Sequence, residues 1–253
     1  MHAVLLTLLL MVGSGALAKC AGPQMWVYPS EKTLAQDQAL LIEAYQVDHA
    51  LFMAHMRNGM AYLTAGETRV PLRFITGQSG QFSLCQAVFI PTAVLEIGRT
   101  CTLYLEDLPA ALPQPVRWED LFEAVPCSWT MAASSGHTSM TVARDAIVAR
   151  STLVEYGCGP ATDVYVELGT AIPQGALCAV RLTREDGNRG NYILPVKDGL
   201  VAIGHGMCSG AFGLILGERY TADLTLLRDD GQALPESRRS VSFAGPTEVA
   251  VEE

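Results

Sequence analysis

Short runs in which apolar and polar residues alternate, separated by turn sequences, constrain this chain most. In residues 100–106 every second residue from Cys101 to Leu105 is apolar, which is typical of a strand with one face in a core. Comparable runs recur with turn residues such as Gly and Asp between them. They are residues 39–46, 60–65, 68–76, 81–90, 163–168, 176–183, 192–196, 200–204, 220–227 and 240–244. We therefore predict an all-β fold.

The composition and the prolines suggest two domains. Charged residues make up only 17 % of the chain, which contains 23 Gly and 13 Pro, and this balance favours strands and turns over helices. Residues 108–115 hold three prolines, which neither a helix nor a strand ladder accommodates in its interior. We predict a domain at 19–108, a linker at 109–115, a larger domain at 116–247 and an acidic tail at 248–253. Residues 117–157 show no clear pattern.

The first eighteen residues predict export. They contain no Lys, Arg, Asp or Glu, run apolar from Ala3 to Val12, and end in Ala16-Leu17-Ala18. This layout is typical of a signal peptide at residues 1–18, cleaved after Ala18, although a buried N-terminal strand or helix is the alternative. Lys19 before Cys20 does not fit a lipid attachment site. No later stretch is apolar for long enough to span a membrane, so we expect a protein of the periplasm, the cell surface or the extracellular space.

Several turn motifs resemble those of Ig-like domains in exported bacterial surface and periplasmic proteins. In the first part the matching segments are residues 28–33 (YPSEKT), 62–66 (YLTAG) and 95–105 (LEIGRTCTLYL), and in the second part residues 220–231 (YTADLTLLRDDG). The resemblance implies two tandem Ig-like or fibronectin-III-like β-sandwich domains after the signal peptide. It carries no functional residues with it.

The seven cysteines include no C-x-x-C pair, so they do not predict a zinc ribbon or a thioredoxin motif. Dispersed cysteines in an oxidising compartment usually form disulfides, and an odd number leaves one unpaired. We predict one bridge between Cys158 and Cys208 and another between Cys20 and Cys101. Cys127 and Cys178 are also predicted to be in disulfides.

Residues 48–60 are rich in His and Met. Asp48 is suited to begin a short helix and Asn58-Gly59 to end it. Imidazole and thioether groups are ligands of copper(I), so this stretch is one candidate metal site. The alternative is that the methionines fill the end of a hydrophobic core. The candidate ligands are His49, Met53, His55, Met56 and Met60.

No other motif predicts catalysis. Gly206-Met207-Cys208-Ser209-Gly210 has the form of a nucleophile elbow, but two glycines follow it where a helix would be needed. Lys and Arg are scattered, which predicts no nucleic-acid binding. We therefore predict a non-enzymatic binding or structural protein without a cofactor, whose partner is an unknown protein or surface ligand. The alternatives are a periplasmic copper-binding protein and a secreted hydrolase with Cys208 as nucleophile.

Overall fold

A computed structural model describes residues 22–117, 126–133, 145–156, 159–168, 172, 175–228 and 231–247. The predicted signal peptide and acidic tail lie outside these residues. Within them the chain forms sixteen strands and one α-helix, and the all-β prediction is confirmed. Each predicted strand overlaps an observed one. The strands are β1 (Gln24–Tyr28), β2 (Thr33–Ala35), β3 (Leu40–Tyr45), β4 (Ala61–Ala65), β5 (Thr68–Ser79), β6 (Leu84–Pro91), β7 (Thr100–Leu105), β8 (Pro115–Arg117), β9 (Ser128–Ala132), β10 (Ile147–Tyr156), β11 (Gly159–Glu167), β12 (Leu177–Arg184), β13 (Arg189–Pro195), β14 (Leu200–His205), β15 (Arg219–Leu226) and β16 (Arg239–Ala244), and the helix is α1 (His49–Asn58).

The N-terminal half forms one nine-stranded sheet in the order β2-β9-β7-β4-β5-β6-β3-β1-β8. Strand β5 serves both halves of this sheet, because residues 68–71 pair with β4 and residues 72–79 pair with β6. A shift in the pairing between Phe74 and Thr76 marks a bulge, which bends a strand. We call β5-β6-β3-β1-β8 sheet 1 and β5-β4-β7-β9-β2 sheet 2.

Sheets 1 and 2 pack face to face around a shared core. Leu40 and Ile42 of β3 are fully buried and belong to the same cluster of contacting residues as Leu63 of β4 and Trp129 of β9. The Trp129 indole N–H donates to the Pro29 carbonyl over 3.0 Å, which satisfies its one polar group. The N-terminal half is therefore a β-sandwich.

The C-terminal half is a second sandwich. Sheet 3 has the order β10-β11-β14 and sheet 4 the order β13-β12-β15-β16. Val164 and Ile203 of sheet 3 pack in one cluster with Val180 and Leu224 of sheet 4. Sheet 4 thus turns one face to this core, while its other face, here called the outer face, is partly covered by the N-terminal sandwich and carries the candidate site.

Sheet 1 is buried on both faces. Every residue of β3 is buried, and so is every residue of β6 except Pro91. On the face away from sheet 2, Leu41 and Val88 pack against Ile193 and Leu227 of the C-terminal sandwich. The two sandwiches therefore share an apolar interface.

The structure corrects the predicted domain boundary. Residues 109–115 do not separate the sandwiches, since β8 begins at Pro115 and pairs in parallel with β1. Strand β9 also returns to the N-terminal half, where it pairs with β2 and β7. Proline is tolerated here because β8 is an edge strand and Pro115 is its first residue. The N-terminal sandwich consequently includes β8 and β9.

Among the described residues, no helix has both the length and the apolar character that crossing a bilayer requires.

Candidate functional site

A groove of about 530 Å³ lies where the two sandwiches meet. Thr76, Gly77 and Gln78, at the end of β5, form one wall, and the outer face of sheet 4 forms the floor. Two basic residues, Arg181 and Arg238, line it. We call it the arginine groove.

A row of polar side chains crosses the outer face of sheet 4. Arg181 of β12 lies directly opposite Asn191 of β13 on one side and Asp223 of β15 on the other. Asp223 lies opposite Ser240 of β16. Successive side chains of a strand point to opposite faces, so these residues face outward while their neighbour Val180 faces the core. The register of the sheet therefore assembles residues that are far apart in sequence.

Asp223 binds both arginines of the groove. Arg181 donates from Nε and from a terminal nitrogen to Asp223 Oδ2 over 3.2 and 2.6 Å, and Arg238 donates to the same oxygen over 3.3 Å. The hydrogen bonds from Arg181 are the main cause that holds the pKa of Asp223 below its ordinary value. The Asp223 side chain is 22 % exposed, against 47 % for Arg181 and 59 % for Arg238. A ligand would thus meet mainly the guanidinium groups, which retain N–H donors that Asp223 does not use.

The opposite wall offers an acceptor. Gln78 Oε1 is buried and has no hydrogen-bond partner among the described residues. An unsatisfied buried amide oxygen costs roughly 1–3 kcal/mol. The groove therefore presents charged donors on its floor, and the buried Gln78 oxygen lies in its wall.

Gln86 fixes the position of one sandwich relative to the other through two hydrogen bonds. Its Nε2 donates to the Ile193 carbonyl and its Oε1 accepts from the Ile193 N–H, both over 2.8 Å. Strand β13 is an edge strand of sheet 4, so the Gln86 amide takes the place that a neighbouring strand would occupy. Both residues are buried, and this contact fixes the position of the groove wall relative to its floor.

A buried carboxyl group lies beside this contact. Glu43 is 5 % exposed and accepts hydrogen bonds from Trp26 Nε1 over 2.8 Å and from Gln86 Nε2 over 3.4 Å. Burial raises its pKa to about 7, and the hydrogen bond from Trp26 opposes this rise. The buried Tyr192 hydroxyl lies near Glu43 and also lowers its pKa, although it makes no hydrogen bond of standard geometry. Trp26 is 3 % exposed and is thus a core residue.

Helix α1 has the predicted ends, and the predicted copper ligands lie in different environments. The Leu51 N–H donates to Asp48 Oδ1 over 2.9 Å, and Gly59 follows the last helical residue. Met56 is 2 % exposed and lies in the core between sheets 1 and 2, whereas Met60 lies outside the helix and is 64 % exposed. The remaining members of the set are placed as follows: Met53 packs against Gly77, and His49 and His55 are partly exposed. The described residues contain no cluster of three or more His, Cys, Asp or Glu side chains that could hold a metal.

Core packing by Met56 can be tested by truncation. Met56→Ala is expected to lower the free energy of unfolding by about 2–5 kcal/mol, because it leaves a cavity in a fully buried cluster. The control Met60→Ala should change it by less than about 0.5 kcal/mol, because Met60 is exposed. Urea unfolding measures both. Equal effects of the two substitutions, or saturable copper(I) binding that both abolish, would contradict the packing assignment.

Three of the predicted disulfide cysteines are buried thiols instead. Cys101, Cys127 and Cys178 are not in disulfides, and neither is Cys85. Cys101 Sγ lies 3.2 Å from Met131 Sδ inside the N-terminal core, which contradicts its predicted bridge to Cys20. Cys127 and Cys178 belong to different cores and cannot reach one another. A buried thiol packs as a small apolar group, and burial raises the pKa of the Cys178 thiol to about 12.

Cys208 is disulfide-bonded, and its partner is not one of the other described cysteines. Its pairing with Cys158 stays a prediction, because Cys158 and Cys20 both lie outside the described residues. The segment 206–210 is a tight turn in which the Gly206 N–H donates to the Ser209 carbonyl over 2.8 Å. No helix follows it among the described residues, so it lacks the geometry of a nucleophile elbow.

Residue patterns alone did not reveal the arginine groove. The arginines looked scattered along the sequence, and only the register of four strands places them together. The alternation within β12 does indicate that Arg181 and Thr183 share the outward face, but it does not identify their neighbours.

Comparisons with known proteins identify no family. No family model matches the chain, and no curated protein is similar to it in sequence. Among solved structures it is similar to pullulanase from Anoxybacillus sp. LM18-11 complexed with maltotriose, with 12 % identity over 84 % of this chain and 25 % of that chain and a TM-score of 0.26. It is also similar to pullulanase type I from Bacillus subtilis str. 168 complexed with maltose, with 9 % identity over 86 % of this chain and 24 % of that one and a TM-score of 0.25. The third is the N-terminal part of the bacterial S-layer protein SbsC, with 13 % identity over 88 % of this chain and 44 % of that one and a TM-score of 0.27. The chain spans less than half the length of each of these proteins.

Proposed function

We propose that this chain is an exported, non-enzymatic binding protein of the cell surface or periplasm that holds its ligand in the arginine groove. The observation that carries the proposal is the pair of exposed guanidinium groups anchored on a less exposed carboxylate, Asp223. Binding sites need polar groups that are already fixed in place, because ordering them on binding costs free energy. The hydrogen bonds between Asp223 and the two arginines provide that preorganisation.

The shared interface supports the same proposal. The wall of the groove comes from one sandwich and its floor from the other, so the site depends on their relative position. The Gln86–Ile193 hydrogen bonds and the apolar contacts of sheet 1 fix that position. Recognition by a rigid β scaffold requires such an arrangement.

A thermal-shift screen tests the proposal on the mature protein. The probes are neutral monosaccharides and oligosaccharides, sugar acids, dicarboxylic acids and inorganic phosphate. At least one class is expected to raise the melting temperature saturably, since a ligand at 100 times its Kd stabilises the folded state by about 2.7 kcal/mol. Arg181→Gln should lower the affinity for that class about tenfold or more, because it removes a charged donor.

The control is Arg99→Gln, which removes the same charge from an exposed turn of the N-terminal sandwich. It should leave the affinity unchanged. The proposal is wrong if no probe class raises the melting temperature of the wild-type protein, or if the rise is the same in Arg181→Gln.

A further inference from the structure

The outer face of sheet 4 is basic beyond the arginine groove. Arg181, Arg189 and Arg219 all occupy outward positions on three strands, and Arg238 lies at the edge of the groove. The carboxylates beside them are Asp223 and Glu185. This face therefore carries four guanidinium groups and two carboxylates, on a chain whose net charge is −9.

Two of these arginines are not held in ion pairs with described residues. Arg189 and Arg219 form no ion pair with any residue in the described part of the chain. Both are exposed, so an anion can approach them without displacing an internal partner. Arg181 and Arg238 share a single carboxylate and keep one positive charge between them.

Hydroxyl groups fill the space between the arginines. Thr183 lies opposite Arg189 on one side and Thr221 on the other, and Thr221 lies opposite Ser242. The Thr221 and Ser242 hydroxyl oxygens are 3.1 Å apart. These small side chains form a second polar row, two residues along each strand from the row that contains Arg181.

The two rows join two grooves into one track. A groove of about 720 Å³ at the far end of the same face is lined by Thr183, Arg219 and Thr221, among others. Its nearest residues are only two positions, about 7 Å, from Arg181 and Asp223 of the arginine groove. From Thr225 to Arg219 the track follows β15 for about 20 Å. That length suits a chain-like ligand better than a single small molecule.

We infer that this face binds an acidic polysaccharide. This inference rests on the proposed function and extends the proposed binding site along sheet 4. Guanidinium groups pair with carboxylate or sulfate groups through two parallel hydrogen bonds, and the Thr, Ser and Asn side chains bind sugar hydroxyls. Single-stranded nucleic acids bind on exposed aromatic rings, but Tyr192 and Tyr220 are 1 % and 4 % exposed, and Phe243 is stacked on Tyr220. The chemistry of the face therefore favours a glycan.

The test uses two matched pairs of probes with the mature protein, measured by calorimetry at low and high salt. Polygalacturonate is compared with its methyl-esterified form, and dextran sulfate with dextran. Binding is expected for at least one acidic member and for neither neutral one, and it should weaken as salt rises. Which acidic member binds distinguishes carboxylate from sulfate.

Variants locate the surface. Arg189→Gln and Arg219→Gln, both outside the arginine groove, are each expected to weaken binding roughly three- to tenfold. Arg99→Gln on the other sandwich is the control with the same loss of charge, and should have no effect. Melting temperatures confirm that each variant is folded.

The inference is overturned if neither acidic polysaccharide binds, if the neutral partner binds equally well, or if Arg99→Gln weakens binding as much as Arg189→Gln. It is also overturned if single-stranded DNA binds as tightly with the same sensitivity to the variants. If small ligands still bind in the thermal-shift screen and their binding still requires Arg181, the proposed function is supported and only the polysaccharide is ruled out as the ligand.

Discussion

Gln86→Met is expected to destabilise the protein by about 3–5 kcal/mol, because it leaves two buried backbone groups of Ile193 without partners and each costs roughly 1–3 kcal/mol. Methionine has nearly the volume of glutamine, so the substitution removes the two hydrogen bonds of 2.8 Å and leaves little cavity. Urea unfolding at pH 5 measures the effect. At that pH most Glu43 is protonated in the folded state. Ionisation of Glu43 therefore contributes little to the difference in unfolding free energy between Gln86→Met and the wild-type protein.

The control for this prediction is Gln114→Met at an exposed position, which should change the free energy of unfolding by less than about 0.5 kcal/mol. Hydrogen exchange gives a second, local measurement. The Ile193 amide should exchange faster in Gln86→Met than in the wild-type protein, because its acceptor is gone. Unchanged exchange at Ile193 would show that the Gln86 amide does not stabilise the edge of β13.

Glu43 is expected to make the protein less stable as the pH rises. The carboxyl has an ordinary pKa of 4.5 when unfolded and about 7 when folded, so the folded state binds the proton more tightly. Its contribution to stability is fully present below about pH 4.5, falls between about pH 4.5 and 7, and is absent above that range. The shift corresponds to about 3 kcal/mol across this window.

Glu43→Gln should remove this part of the pH dependence. The amide can still accept the hydrogen bond from Trp26 Nε1, but it cannot ionise. At pH 8 the variant should be about 3 kcal/mol more stable than the wild-type protein, and at pH 4 the two should be nearly equal. Glu155→Gln at an exposed position is the control, and its unfolding curve should follow the wild type at every pH. A wild-type protein and a Glu43→Gln variant with parallel pH profiles would contradict the buried ionisation.

The strands were predictable because alternation is a local signal, and the pairing of distant strands was not. The pattern of residues 39–46 identified β3, but it could not show that both faces of β3 are covered or that Glu43 is buried. The three prolines near residue 110 looked like a linker, since the sequence does not reveal that Pro115 enters an edge strand. The pairing of β9 with β2 in sheet 2 joins residues that are far apart in the sequence, and no local pattern predicts it.

The candidate site depends even more on register. Arg181, Asn191 and Asp223 become neighbours only through the pairing of three strands. The disulfides predicted at Cys101, Cys127 and Cys178 are absent for a different reason, since that prediction relied on the chemistry of the compartment and not on geometry. Cys101 and Cys178 are surrounded by apolar side chains, where a thiol needs no partner.

Burial of both faces of sheet 1 bears on how such a protein evolves. A gene fragment that encoded the N-terminal sandwich alone would specify a product with Leu41, Val88 and Ile90 on its surface, a strip that favours aggregation. Recombination between the halves would separate the side chains that pack across the interface between the sandwiches. We therefore expect the two sandwiches to be inherited as one unit. Mutations at Gln86 and Ile193 should then be tolerated only in combinations that restore the shared hydrogen bonds.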